Sequence, residues 1–167
     1  MSTGEPHWSS GDTTARLFTS YLDFYREKAI AKLLALPRAD QERALVPSGW
    51  TPLELVHHLA MMERRWVAWG FLGQPVEAPH GDEVDGHWVV PEGRDATYVA
   101  ELLRALGELT AEVLEDHGLD EVARTGGRFA ADPPTLRWIC FHVLQEYARH
   151  LGHLDVAVEL AGGDPGE

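Results

Sequence analysis

Four long segments with helical apolar spacing, separated by breaks rich in proline and glycine, constrain the fold of this chain most strongly. In each segment apolar residues recur every three or four positions, the pattern of a helix that buries one face. The clearest start is Thr51-Pro52-Leu53-Glu54, a capping box with proline at the first helical position. Strand signals are weak by comparison. We therefore predict an all-α four-helix bundle, with helices near residues 13–36, 51–72, 96–116 and 135–160.

The length of the chain, 167 residues, suits one domain with a single core. We expect a flexible N-terminal tail over residues 1–12, the bundle domain over residues 13–161 and a C-terminal tail over residues 162–167. Asp12 is the expected N-cap of the first helix, since a short acidic side chain there can accept backbone N–H groups.

Charge and cysteine content exclude several classes of protein. The formal net charge of −13 would repel nucleic-acid phosphates, so no nucleic-acid partner is expected. No apolar run approaches the roughly 20 residues of a membrane span, and the N-terminus lacks the pattern of a signal peptide. The single Cys140 rules out an internal disulfide and a cysteine-rich zinc site. A cytoplasmic protein without a membrane partner is the expectation.

Two adjacent histidines in the second helix are predicted to point in different directions. Successive helical residues turn by about 100°, so His58 lies about 60° from the apolar Leu55 and His57 about 160° from it. We therefore expect His58 at the margin of the buried face and His57 in solvent.

Glu146 and His150 lie one turn apart in the fourth helix and share a face with the apolar Ile139 and Val143. A buried carboxylate without a partner is costly, so this pair needs an explanation. With His58 it offers two imidazoles and one carboxylate, a ligand set that suits Zn²⁺, Fe²⁺, Ni²⁺ or Mn²⁺. A hydrogen-bonded Glu–His pair, with His58 as an ordinary residue at the edge of the core, explains the same pattern. Both interpretations stay open on spacing alone.

Other residues near this face are weaker candidates for metal ligands or catalytic residues. His153 follows Glu146 by seven residues and is either a fourth ligand or a residue that supports the ligands, which we favour. His142, one turn before Glu146, is a weaker alternative to His153. Cys140 has no cationic cluster around it in the sequence and is expected in the core. The long loop 74–94 is the best candidate to cover a site in the bundle, because loops of that length are often functional.

Two motifs together resemble the DinB/YfiT-like superfamily. The second helix has His58-Leu-Ala with Glu63 five residues after the histidine, and the fourth has Glu146-Tyr-Ala-Arg-His150-Leu-Gly-His153-Leu-Asp155. The similarity covers roughly Thr13 to Ala161. It implies a bundle whose metal is held by one ligand from the second helix and two from the fourth, here His58, Glu146 and His150. Most members have histidine in the place of Glu146; two histidines and a glutamate resemble the metal-binding domain of mycothiol-dependent maleylpyruvate isomerases.

The resemblance also implies a reaction class. Reactions known in the superfamily include thiol-dependent transfer and isomerisation, in which a metal activates a thiol. Lys28 and Lys32 are the only lysines among the basic residues, a composition typical of GC-rich genomes and of actinobacteria, where mycothiol is the available thiol. We therefore expect a divalent-metal-dependent, mycothiol-dependent transferase or isomerase acting on a small molecule, with His153 as a catalytic residue. A non-enzymatic metal- or ligand-binding bundle of the stress response is the alternative, and a homodimer stays open.

Overall fold

Helices dominate the regular secondary structure of the computed structural model, which describes residues 4–166. The five α-helices are α1 (Thr14–Ala35), α2 (Arg38–Gln41), α3 (Pro52–Trp66), α4 (Ala96–Asp116) and α5 (Leu136–Leu160). A π-helix, Val67–Phe71, continues α3, and two short strands, β1 (Glu83–Val84) and β2 (His87–Trp88), lie in the loop before α4. The all-α prediction is confirmed. Residues 1–3 of the predicted N-terminal tail and residue 167 of the C-terminal tail lie outside the described residues.

Side-chain caps fix where the helices begin. The predicted capping box of α3 is present: the Thr51 hydroxyl accepts from the Glu54 backbone N–H at 3.2 Å, and the Glu54 carboxylate accepts from the Thr51 N–H at 2.8 Å. The N-cap of α1 is Thr13, so the expectation of Asp12 was wrong by one residue. Asp12 instead accepts from the Ser9 N–H in the preceding turn.

The bundle places α3 and α5 side by side. Each of α1 and α3 packs against both α4 and α5, and the apolar faces of these four helices form the core. The apolar side chains buried most completely come from all four, and they include Leu22, Ile30, Leu33, Leu55, Leu59, Leu103, Ile139 and Leu154. Among residues 4–166, none of the helices has the length and apolar composition needed to cross a bilayer.

A fully buried carboxylate ties the four long helices together. Glu63 in α3 accepts from Arg26 Nη2 of α1 at 2.8 Å, from Thr110 Oγ1 of α4 at 2.5 Å and from Tyr147 OH of α5 at 2.5 Å. Gly107 makes room for this cluster, since a Cβ there would lie 2.3 Å from Arg26 Cζ. Both oxygens of the buried Glu63 carboxylate thus accept hydrogen bonds, which is the condition for tolerating a charge in a core.

A small hairpin shapes the loop between the π-helix and α4. Its antiparallel strands pair Glu83 with Trp88 and Val84 with His87. The turn residues Asp85 and Gly86 both have positive φ, at 52° and 79°, as a two-residue type I′ hairpin turn requires. Strands of two residues are too short to leave a periodic pattern, so the sequence does not predict this hairpin.

Candidate metal centre

His58 of α3 and Glu146 and His150 of α5 converge on one point. A ligand atom from each lies within 4.8 Å of the other two. His150 Nε2 is 3.1 Å from Glu146 Oε2, and the rings of His58 and His150 meet edge to face at 5.0 Å. His150 is buried, and the other two side chains are half-buried. The helical spacing predicted that Glu146 and His150 share a face; the packing of α3 against α5 brings His58 to the same face.

A buried carboxylate in the loop orients His58. Asp82, which is 1% exposed, lies with Oδ2 2.8 Å from His58 Nδ1 and with Oδ1 2.5 Å from Arg65 Nη1. Although burial disfavours the ionised carboxylate, the hydrogen bonds from His58 and Arg65 lower the pKa of Asp82 to about 2. An ionised Asp82 accepts the Nδ1–H of His58, which leaves Nε2 with its lone pair available to bind a cation.

Sequence reasoning missed Asp82. Nothing in its local sequence separates it from Glu83 and Asp85, two neighbouring acids that are exposed. The only available signal was its position in the loop that was expected to cover the site.

His57 is buried, so the expectation that it faces solvent was wrong. Its side chain is 2% exposed, and its Nδ1 lies 2.9 Å from the carbonyl oxygen of Val89. The angular estimate was made for an isolated helix, and here the loop before α4 covers the face of α3 opposite Leu55. Burial lowers the pKa of His57, outweighing the Val89 hydrogen bond. A neutral ring therefore donates from Nδ1 to the loop backbone and lies outside the ligand cluster.

The surroundings of His150 favour its neutral form, which is the form that can bind a cation. Burial, together with the nearby His58 and His153, lowers the pKa of His150 to about 4, although Glu146 acts in the opposite direction. Its ring is therefore neutral at pH 7 and has a lone pair to offer. Its Nδ1 is buried without a hydrogen-bond partner among the described residues, so the protein alone does not satisfy this ring. Two imidazoles, one carboxylate and an unsatisfied buried nitrogen fit a divalent transition metal, and the cluster could hold one.

Tryptophans from two loops cover the cluster. The ring of Trp88 stacks on His58, with centroids 4.2 Å apart and planes 16° apart, and meets the edge of His150 at 5.3 Å. Trp50, from the loop before α3, lies 6.4 Å from Trp88 and 6.3 Å from His153. The loop 74–94 thus contacts His58 twice, through the ring of Trp88 and through the carboxylate of Asp82.

Two further histidines flank the cluster on α5. His153 is exposed, and its ring lies 5.6 Å from that of His150. His142 is half-buried, and its Nε2 lies 3.5 Å from Glu146 Oε1. The two oxygens of Glu146 therefore face different histidines, with Oε2 towards His150 and Oε1 towards His142.

Cys140 is not placed to act as a nucleophile. It is 3% exposed, and burial, with the Glu63 charge nearby, raises the pKa of its thiol to about 12. The expectation that it is a core residue is confirmed.

Comparison with known proteins identifies relatives over nearly the whole chain. The family model of mycothiol-S-transferases matches residues 17–163. Two solved structures share the fold. A conserved protein from Enterococcus faecalis has a TM-score of 0.63 at 17% identity, over 90% of this chain and 98% of its own. A DinB-like protein from Bacillus cereus has a TM-score of 0.62 at 15% identity, over 90% of this chain and 94% of its own. No curated protein matches the chain.

Proposed function

The chain belongs to the mycothiol-S-transferase family, and from this premise we propose that it is a divalent-metal-dependent enzyme that transfers the sulfur of mycothiol to an electrophilic small molecule. One observation carries the proposal: His58, Glu146 and His150 bring a ligand atom each within 4.8 Å, at the contact between α3 and α5. Three protein ligands leave further coordination positions for a reactant, the arrangement of catalytic rather than structural metal sites.

The proposed ligands are the two histidines and the glutamate, and Zn²⁺ is the first metal to test, followed by Fe²⁺, Ni²⁺ and Mn²⁺. When bound, a divalent cation lowers the pKa of a thiol and so supplies a thiolate at neutral pH. Glu146 contributes the only negative charge among the three ligands, and it leaves one positive charge of the cation to favour that thiolate.

Residues around the ligands prepare the site. Asp82 fixes the tautomer and the ring orientation of His58 through the 2.8 Å contact to Nδ1. Trp88 shields the rings of His58 and His150 from solvent on one side, and Trp50 lies next to Trp88. The shielding lowers the local dielectric, which strengthens the attraction between the ligands and a cation.

His153 is the proposed proton carrier. The thiol S–H bond is broken and its electron pair forms the new sulfur–carbon bond. The attacked carbon gives up one electron pair in exchange, either to a departing group or, in an activated alkene, to the neighbouring carbon. The released proton passes to His153, which lies 5.6 Å from His150, ring to ring, and from there to water, since His153 is exposed. In an isomerisation the sulfur would leave the carbon again, so mycothiol would not be consumed.

The proposed cosubstrate and the charge of the chain also bear on its compartment and partners. A small-molecule thiol implies the cytoplasm, and we propose that compartment. The net charge of −13 argues against a nucleic-acid partner. A homodimer stays a proposal, for which the exposed apolar side chains of Phe141, Val156 and Leu160 on α5 are candidate contacts.

Metal content and thiol consumption test the proposal together. Protein purified with Zn²⁺ should carry one ion per chain and should consume mycothiol with at least one of a panel of alkyl halides, epoxides and activated alkenes. Activity should vanish with a chelator and in His150→Ala, and should persist in His117→Ala, a histidine that contacts Glu121 away from the site. Metal and mycothiol binding without turnover across the panel would favour the non-enzymatic bundle instead.

A further inference from the structure

A half-buried arginine rests on two tryptophans beside the candidate metal centre. The guanidinium carbon of Arg128 lies 4.1 Å from the ring centroid of Trp66 and 5.7 Å from that of Trp69. Between residues 4 and 166, no carboxylate forms an ion pair with it. The absence of a partner is notable in a chain with 27 acidic and 14 basic residues.

The backbone holds this arginine in place. The Arg128 N–H donates to the Trp69 carbonyl in the π-helix at 3.0 Å, and the Arg124 N–H donates to the Phe71 carbonyl at 2.9 Å. The close approach requires glycine at position 127, where a Cβ would lie 2.2 Å from the Trp69 oxygen. π-Helices often occur at functional sites, and this one positions Arg128 against the tryptophans.

A line of contacts joins Arg128 to the proposed metal ligands. The Trp66 ring beneath Arg128 lies 4.2 Å from the ring of His142, whose Nε2 is 3.5 Å from Glu146 Oε1. One tryptophan and one histidine therefore separate the guanidinium from a proposed metal ligand. A small molecule with its reacting end at the centre could extend across these rings to Arg128.

The electrostatics of Arg128 favour an anion. Burial, together with the positive charge of Arg65, lowers the pKa of Arg128, and the charge of Arg65 is itself matched by Asp82. A half-buried cation without a counter-charge is stabilised by any anion that reaches it. The planar fork of one guanidinium matches one carboxylate through two parallel hydrogen bonds.

We propose that Arg128 is a specificity-determining residue that binds a carboxylate group on the electrophilic substrate. The identity of the reacting end rests on the proposed function, whereas the carboxylate site does not. The site selects electrophiles long enough to place a carboxylate at Arg128, across the rings of His142 and Trp66, while the reacting carbon lies at the centre.

The binding step is tested without turnover, on metal-free protein, so that a carboxylate cannot bind the metal. Propionate is titrated to millimolar concentrations while NMR follows the Arg128 Nε–H and the indole N–H signals of Trp66 and Trp69. We expect saturable shifts with propionate and none with the neutral isostere propionamide. The shifts should be lost in Arg128→Gln, weakened in Arg128→Lys, and kept in Arg124→Gln, an exposed arginine of the same loop. Absent shifts, equal shifts with propionamide, or shifts that persist in Arg128→Gln would overturn the proposal.

The kinetic step compares matched electrophiles at saturating mycothiol. For a substrate with a carboxylate, Arg128→Gln should raise KM about tenfold or more, which corresponds to the loss of a charged hydrogen-bonded pair. Its amide analogue should show an unchanged KM, and the kcat of both should change little. An equal rise in KM for both substrates would indicate a structural role and would count against the proposal. If the protein shows no turnover, the proposed function fails while the propionate titration still decides the role of Arg128.

Discussion

Nδ1 of His58 lies 2.8 Å from Oδ2 of Asp82, and this contact joins a helix of the bundle to a loop 24 residues further along the chain. It fixes which nitrogen of His58 faces the centre. Because Asp82 is also held by Arg65, the loop cannot shift without disturbing the orientation of the ring.

Removal of the Asp82 charge should weaken metal binding while the three ligands remain. Asp82→Asn can donate to His58 as well as accept from it, so the ring is no longer held in one tautomer. We expect the affinity for Zn²⁺ to fall about 10–100-fold, measured by competition with a chromogenic chelator. Asp85→Asn, in the exposed hairpin turn, is the matched control and should bind like the wild type. Equal affinity in both variants would show that Asp82 does not orient the ligand.

Alanine substitutions of the two adjacent histidines should have different effects, one on metal binding and the other on stability. His58→Ala should lose stoichiometric metal, measured by elemental analysis, because it removes a proposed ligand. His57→Ala should keep its metal but lose about 1–3 kcal/mol of unfolding free energy in urea, because it leaves the Val89 carbonyl without its buried donor. Retention of metal by both variants would refute His58 as a ligand.

Glu146→Gln should reduce the affinity for metal and leave the fold intact. The amide has nearly the same shape, but it carries no charge to balance a divalent cation. Glu159→Gln, an exposed glutamate on the same helix, provides the control. Isothermal titration with Zn²⁺ and circular dichroism measure the two properties. An unchanged affinity in Glu146→Gln would remove the carboxylate from the ligand set.

Metal-free protein should lose stability as the pH falls below about 6.5, the ordinary pKa of an unfolded histidine. Burial lowers the pKa of His57, and it lowers that of His150 to about 4. Below about 6.5 the unfolded chain therefore binds more protons than the folded one, so the contribution of these neutral rings is complete above that pH. It is lost progressively as the pH falls towards 4. Urea denaturation at steps between pH 7.5 and 4.5 measures the slope, which should be shallower in His57→Gln; a flat profile would contradict the burial of neutral rings.

The buried Glu63 cluster should depend on each of its donors. Burial and the neighbouring Glu63 raise the pKa of Tyr147 well above its usual value, so its hydroxyl stays protonated and donates to Glu63 Oε2. Tyr147→Phe should cost about 1–3 kcal/mol of unfolding free energy, since a buried carboxylate oxygen loses a strong donor. The exposed Tyr21→Phe should change the unfolding free energy by less than about 0.5 kcal/mol. Similar losses in the two variants would contradict this account of the cluster.

Helical periodicity predicted much of this protein, because it acts within one element. The spacing of apolar residues located the four long helices to within a few residues, apart from the π-helix that replaces the last turns of the second. The four-residue separation of Glu146 and His150 placed them on one face before any tertiary contact was known. The helical angles also placed His58 at the margin of the buried face of its helix, and the motif resemblance then implied all three residues as metal ligands. The structure brings the three together.

The sequence by itself determined the angles between side chains within a helix, since the 100° turn between residues depends only on local backbone geometry. The tertiary structure decided which side chains from different elements contact one another and which are buried. The loop before α4 buried His57 and delivered Asp82 to His58, and the π-helix and Gly127 set Arg128 on its tryptophans. The burial and partners of these residues come from segments distant in sequence, and no periodic pattern records which loop will cover which face of a helix.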